Sequence, residues 1–326
     1  MLKAFRHNTL LQLVVILLIT VILWMKAFVV PVEMRPIHYF SPIYTLLQSF
    51  LIHLPRLASA IALLLILVEG IWMNIILSNN KLTKINWLMP TLLFILAISW
   101  SNESATLSPM ILASLPLLAA VTQLLASGNT NLEVDRNFNA AFLLGIATLC
   151  YFPVAAYIVP FFLVIVTYKS YHWRDIIVAI LGITAPIFLM LIYSFLTDKL
   201  EYYYILFIHD IVDVHFNFDT SNLVGVVTNI IFIMILLWAL FSQFSTINDT
   251  TIQQRINTII FTLPLVAILL MLPYDNIFTI NTQFAAIPFA FISNNLLATE
   301  RKRLWINELL FWIILLTPLA SNILIS

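Results

Sequence analysis

Long apolar runs broken by short polar turns are the dominant pattern along this chain. They cover residues 9–30, 54–78, 86–100, 108–127, 138–151, 152–168, 174–196, 222–243, 257–273, 283–297 and 305–324. A helix needs about 20 mostly apolar residues to cross a bilayer. The runs therefore predict an all-α polytopic membrane helix bundle of roughly eleven segments, several of them short. Pro153, Pro160 and Pro186 fall inside these runs, where they break or kink helices, and a membrane tolerates that only if neighbouring protein satisfies the freed carbonyls. Short, broken spans imply a cavity inside the bundle. The first 30 residues begin like a signal peptide, but the apolar run is too long and lacks a small-residue cleavage site, so a retained first span is expected.

Composition sharpens this picture. The 326 residues are 62% hydrophobic and 9% charged, and the mean hydropathy is +1.02, more apolar surface than one water-soluble globule could hide. No polar loop exceeds about 25 residues, fewer than a soluble domain needs, so residues 1–326 read as a single integral membrane domain. With 15 basic and 15 acidic residues the formal charge is zero, and nothing points to nucleic acid as a partner. The single cysteine, Cys150, lies in an apolar run and reads as a small buried hydrophobe. There is no internal repeat, and the two halves lack the matching broken segments of an inverted-repeat transporter, which disfavours solute transport.

Charge sets the expected orientation. With the N-terminus cytoplasmic, the inward loops hold Lys3, Arg6, Lys81, Lys84, Arg136, Lys169, Arg174, Arg255, Arg301, Lys302 and Arg303, leaving only Lys26, Arg35, Arg56 and Lys199 in or beside outward segments. This is the asymmetry of the positive-inside rule. Merging 138–151 with 152–168 would invert every later loop, so a tight turn is expected at Cys150 to Pro153. Eight acids then face outward: Glu33, Glu103, Asp198, Glu201, Asp210, Asp213, Asp219 and Asp275.

Three outward segments are candidates for chemistry. The first, residues 31–56, carries Glu33, Arg35, His38 and His53 around an amphipathic run from Tyr39 to Ile52. It reads either as an interfacial helix with Tyr39, Phe40 and Tyr44 at headgroup level, or as the edge of a site where Glu33 or His38 takes a proton from an acceptor hydroxyl. The second, SWSNESATLSP at 99–109, places Glu103 in a serine-rich turn, where it is either a second acid or a solvated helix-start residue. In the third, His209, Asp210, Asp213 and His215 form H-D-x-x-D-x-H beside six aromatic residues. On a helix His209 and Asp213 share a face at i,i+4, within reach of one divalent cation; the alternative is an amphipathic helix in the outer interface. Within the spans lie Glu69 and Glu308, both expected toward cytoplasmic ends, where a nearby Lys or Arg suffices. Glu308, near Arg301 to Arg303, reads as structural and Glu69 as a proton-relay candidate.

Residues 139–195 resemble the middle of the GT-C membrane glycosyltransferases. The similarity rests on Ala141, Gly145, Ile146, Ala147, Pro153, Trp173, Arg174 and Pro186, and residues 112–126 fit the preceding span of that superfamily. The chain is also similar to a family of bacterial multipass inner-membrane proteins that share the F-P turn and the W-R loop. The resemblance implies a polyprenyl-phosphate sugar donor, an outward active site and an acid in the first outward loop, usually Asp. Here residues 31–53 hold no Asp, and the acid is Glu33.

The expectation is thus a GT-C-like glycosyltransferase of the bacterial inner membrane that moves a sugar from a polyprenyl-phosphate donor to an acceptor at the outer face. Glu33 is the expected base, Glu103 a second acid, His38 a further candidate, and Arg35 or Arg56 the clamp on the donor phosphate, because guanidinium forks match phosphate oxygens. No cofactor is expected unless a divalent cation binds at His209 and Asp213. The alternative is a non-catalytic subunit or scaffold of a cell-envelope assembly or export machine, whose partners would be other envelope proteins.

Overall fold

The computed structural model describes residues 9–29, 40–83, 87–100, 106–127, 133–168, 173–212, 223–246, 252–262, 264–271, 282–298 and 304–324. Among them there are helices and turns and no strand. The helices are α1 (Thr9–Val29), α2 (Pro42–Leu51), α3 (Pro55–Asn79), α4 (Met89–Ile98), α5 (Pro109–Ser127), α6 (Glu133–Cys150), α7 (Ile158–Tyr168), α8 (Trp173–Leu196), α9 (Leu200–Val212), α10 (Leu223–Thr246), α11 (Ile252–Thr262), α12 (Pro264–Met271), α13 (Ala286–Ala298) and α14 (Leu304–Leu324). Two 3₁₀ turns, Phe152–Tyr157 and Thr282–Ala285, lead into α7 and α13.

Five helical stretches are long and apolar enough to cross a membrane: Leu10–Val29, Pro55–Asn79, Pro109–Ala126, Trp173–Leu196 and Leu223–Ser245. Their outward faces are hydrocarbon. On α8 the side chains of Phe188, Leu189, Leu191, Phe195 and Leu196 are exposed, as are Leu237, Trp238, Phe241 and Phe244 on α10. Exposure on this scale marks a surface that something apolar covers, and for a multi-pass bundle that is lipid. The rest of the expected spans are helical but shorter, Met89–Ile98, Phe152–Val166 and Trp305–Ser321 among them.

The short helices α4 and α13 form the centre. All ten residues of α4 are buried, and α13 is buried except at half-buried Asn295. A helix as apolar all round as α4 belongs in a core, and α13 joins it there with Ser293 and Asn294 buried. At 1.5 Å per residue the two are only about 15 and 20 Å long, against a hydrocarbon layer of about 30 Å. They pack on each other, with α3 and α14 against α4 and α10 against α13. Trp100, just past α4, makes an edge-on contact with Phe232 of α10 at 5.1 Å and lies 6.2 Å from Phe289 of α13; Phe232 and Phe289 stack at 4.5 Å.

The most extensive helix pair is α6 with α8, followed by α5 with α6. Small residues allow the first of these. A Cβ on Gly145 would stand 2.5 Å from Pro186 Cγ and 2.7 Å from the Ile183 carbonyl oxygen, and one on Gly182 would stand 2.7 Å from Ala141 Cβ. Ala141 and Gly145 at i,i+4 on α6, with Gly182 on α8, thus bring the backbones together as small residues do in other membrane helix pairs. Pro186 does not break α8; it fills the notch that Gly145 leaves.

Polar contacts sort the segment ends into two groups. At one end the Leu88 N–H donates to Gln12 Oε1 (2.8 Å), Trp87 Nε1 to Asn294 Oδ1 (2.8 Å), Gln254 Nε2 to the Lys81 carbonyl (3.2 Å) and Arg136 Nη1 to the Ala126 carbonyl. At the other, Trp24 Nε1 donates to Ser99 Oγ (3.2 Å), Tyr44 OH to the Leu107 carbonyl (3.0 Å), Ser108 Oγ to Gln283 Oε1 (2.9 Å), Trp100 Nε1 to the Thr228 carbonyl (3.0 Å) and Tyr157 OH to the Phe284 carbonyl. Each bond joins ends that the distribution of basic residues assigns to one side. The expected turn after Cys150 is present: α6 stops there, Tyr151 is extended (φ −157°, ψ 114°), and Pro153 opens the following 3₁₀ turn. Cys150 itself is buried and free.

Candidate functional site

The Tyr44 end carries Arg56, one of the candidate outward residues. The amphipathic run after the first span forms α2, which starts at Pro42 and buries Pro42, Tyr44 and Leu51. Proline at the first turn lacks an N–H that would have no partner there anyway. Burial pushes the Tyr44 phenol up to about 12, so it remains a hydrogen-bond donor to Leu107 at neutral pH. Tyr44→Phe keeps the ring and deletes that bond, and should lower stability by about 1 kcal/mol. A thermal melt of the detergent-solubilised protein checks this.

Around α2, Phe40 meets Phe207 at 5.7 Å, Tyr203 at 6.0 Å and Phe152 at 6.5 Å, all edge-on. This aromatic group ties the start of α2 to α9 and to the turn after α6. It fixes α9 beside the start of α2. The helix required by the metal reading is present through Val212, with Tyr202, Tyr204 and His209 on its exposed surface.

Of the site residues expected from sequence, Arg56 and His209 are described. Arg56 is the second residue of α3 and is exposed at the Tyr44 end. Glu33, Arg35, His38, Glu103 and Asp213 lie outside the described residues. No group of three metal-ligating side chains occurs among the described residues. The anchors of the two acidic loops are described, however, and they are joined. Trp24 in the last turns of α1 precedes the Glu33 loop and bonds Ser99, which precedes the Glu103 loop. Tyr44 follows the first loop and bonds Leu107, which follows the second.

Two features escaped sequence reasoning. One is a narrow half-open crevice with about 40 Å³ of free space, lined by α5, α6, α7, α11 and α12 through side chains such as Leu117, Val121, Leu144, Phe161, Val164 and Ile260. Its wall is hydrocarbon almost throughout. Its lining residues are scattered over segments from 117 to 264, and no local pattern marks them.

The other feature is the position of Glu69, expected near a cytoplasmic helix end beside a basic residue. Glu69 is instead the fifteenth of the 25 residues of α3, wholly buried. Ser114 Oγ on α5 lies 2.8 Å from Glu69 Oε2, and Glu69 Oε1 has no hydrogen-bond partner among the described residues. The signal available in the sequence was Ser114, a hydroxyl inside the apolar run LASLPLL. Glu308 is half-buried in the first turns of α14. Compared with protein-family models, with curated proteins and with solved structures, the chain matches none.

Proposed function

We propose that this chain is a GT-C-like glycosyltransferase of a bacterial inner membrane, moving a sugar from a polyprenyl-phosphate donor to an acceptor at the outer face. The observation that carries the reading is the pair of joined anchors. The loops holding Glu33 and Glu103 leave and re-enter the bundle at residues hydrogen-bonded to each other, Trp24 with Ser99 and Tyr44 with Leu107. Joined feet of this kind support a reading in which the two loops bring their acids to one acceptor. Arg56 is exposed at the same end, and a guanidinium there suits the donor phosphate. The apolar wall of the crevice suits isoprenoid hydrocarbon in its chemistry, since ligand sites are mostly apolar with a few polar groups fixing orientation.

In this reading Glu33 takes the proton from the acceptor hydroxyl as that oxygen attacks the anomeric carbon, and the polyprenyl phosphate leaves with the bonding electrons, its charge held by Arg35 or Arg56. General-base catalysis contributes typically 10²–10⁴-fold. Glu33→Gln should therefore lower transfer of radiolabelled sugar by at least about 100-fold at unchanged membrane abundance. Full activity in that variant sinks the assignment.

One observation favours a second reading, a non-catalytic subunit of an envelope assembly. The exposed face of α9, with Tyr202, Tyr204, Ile205 and Ile208, is a docking surface in that case, and a complex isolated in mild detergent would then require α9 and not Glu33.

A further inference from the structure

We infer that Glu69 and Ser114 form a proton-binding site inside the bundle, in which the carboxyl holds its proton while α3 and α5 are packed together. The inference rests on the hydrogen-bond geometry of these two residues and is independent of the outer-face reading.

Ser114 Oγ stands 2.8 Å from Glu69 Oε2 and also 2.8 Å from the Ile111 carbonyl oxygen one turn back on α5. A serine hydroxyl has one hydrogen and two lone pairs, so it cannot donate fully to both oxygens. The carbonyl can only accept. Both short contacts are satisfied at once when Glu69 Oε2–H donates to Ser114 Oγ and Ser114 donates onward to Ile111. The ionised carboxylate would instead have to take the serine hydrogen away from Ile111, leaving that contact without a proton.

The remaining oxygen makes the same distinction. Oε1 is buried without a hydrogen-bond partner among the described residues. A carbonyl oxygen in that position costs much less than half of a buried carboxylate, because burying a charge without partners is the more expensive arrangement.

Among the described residues no cation is placed to offset the charge. The described helices packed on α3 are α1, α2, α4 and α5. Neither α4 nor α5 contains a titratable side chain. On α1 the only one is Lys26, exposed and in the last turn at the Tyr44 end. On α2 it is Tyr44, committed to Leu107, and Arg56 on α3 itself is exposed thirteen residues before Glu69. On proton loss the hydrogen of Oε2 passes to water, the Ser114 hydrogen turns from Ile111 to Glu69, and the carboxylate demands solvent. Water reaches it only if α3 and α5 part, so the proton and the closed α3–α5 contact stabilise each other by linkage.

Infrared difference spectroscopy of the full-length protein in lipid nanodiscs, titrated with pH, tests this. At neutral pH the wild-type protein should show the carbonyl stretch of a protonated acid, absent from E69Q, and in S114A that band should move to higher frequency as its acceptor is lost. If E69Q does not fold, S114A decides: a shifted band supports the site and an unmoved band overturns it. Absence of any Glu69-dependent protonated-acid band at neutral pH, with a carboxylate band in its place, also overturns it.

Discussion

Gly145→Val should leave little folded protein after solubilisation, while Gly70→Ala is tolerated far better. The difference lies in what the new carbon meets. On Gly145 a Cβ falls 2.5 Å from a proline ring carbon and 2.7 Å from a backbone oxygen of α8, and neither atom moves without the helix. On Gly70 the nearest atom is the Thr91 methyl at 3.1 Å. Replacing glycine inside a helix would otherwise gain up to about 1 kcal/mol of propensity with alanine, less with valine. Overpacking typically costs about 1–3 kcal/mol, and valine adds two further methyls to a contact already too close. We expect a loss of at least about 3 kcal/mol, a large part of the roughly 5–15 kcal/mol that holds a domain together. Fluorescence-detected gel filtration after a temperature ramp reads it, and a wild-type profile for Gly145→Val would contradict the packing described.

Trp100→Ala should cost about 3–5 kcal/mol, the range for removing a buried aromatic. Trp100 is 1% exposed and closes the central pair α4 and α13 against α10. Its removal deletes the contacts with Phe232 and Phe289 and the hydrogen bond to the Thr228 carbonyl. Trp100→Phe keeps most of the ring area and gives up the bond, so it should lose the smaller share, about 1 kcal/mol for the bond itself. Equal melting temperatures for the two variants would show that packing at this position contributes little.

Three of the residues that carried the resemblance to GT-C proteins, Ala141, Gly145 and Pro186, have a packing role in this chain. Ala141 and Gly145 of α6 face Gly182, Ile183 and Pro186 of α8, so the motif records how two helices approach each other. That helix contact was not read from the sequence, because which helix faces Gly145 depends on residues about 40 positions away. The turn at Cys150 was legible because a different count of segments would have put basic loops on the wrong side. The centre was not legible as such: α4 and α13 look like ordinary spans in composition, and only their shared burial shows them to be inner helices. Glu69 stood out as an acid in an apolar run, yet its environment depends on α5, about 45 residues away in sequence, which no local pattern reports. The crevice has the same origin, since its walls come from five helices.

The central claim is that the bundle receives a polyprenyl phosphate with its phosphate at the end where Tyr44, Leu107 and Arg56 lie. The direct measurement is a structure of the full-length protein in nanodiscs with polyprenyl phosphate added. The account predicts isoprenoid density along the apolar crevice between α5 and α7 and a phosphate at the Tyr44 end, near Arg56. An empty crevice, or a phosphate at the end carrying Arg136 and Gln254, would contradict it.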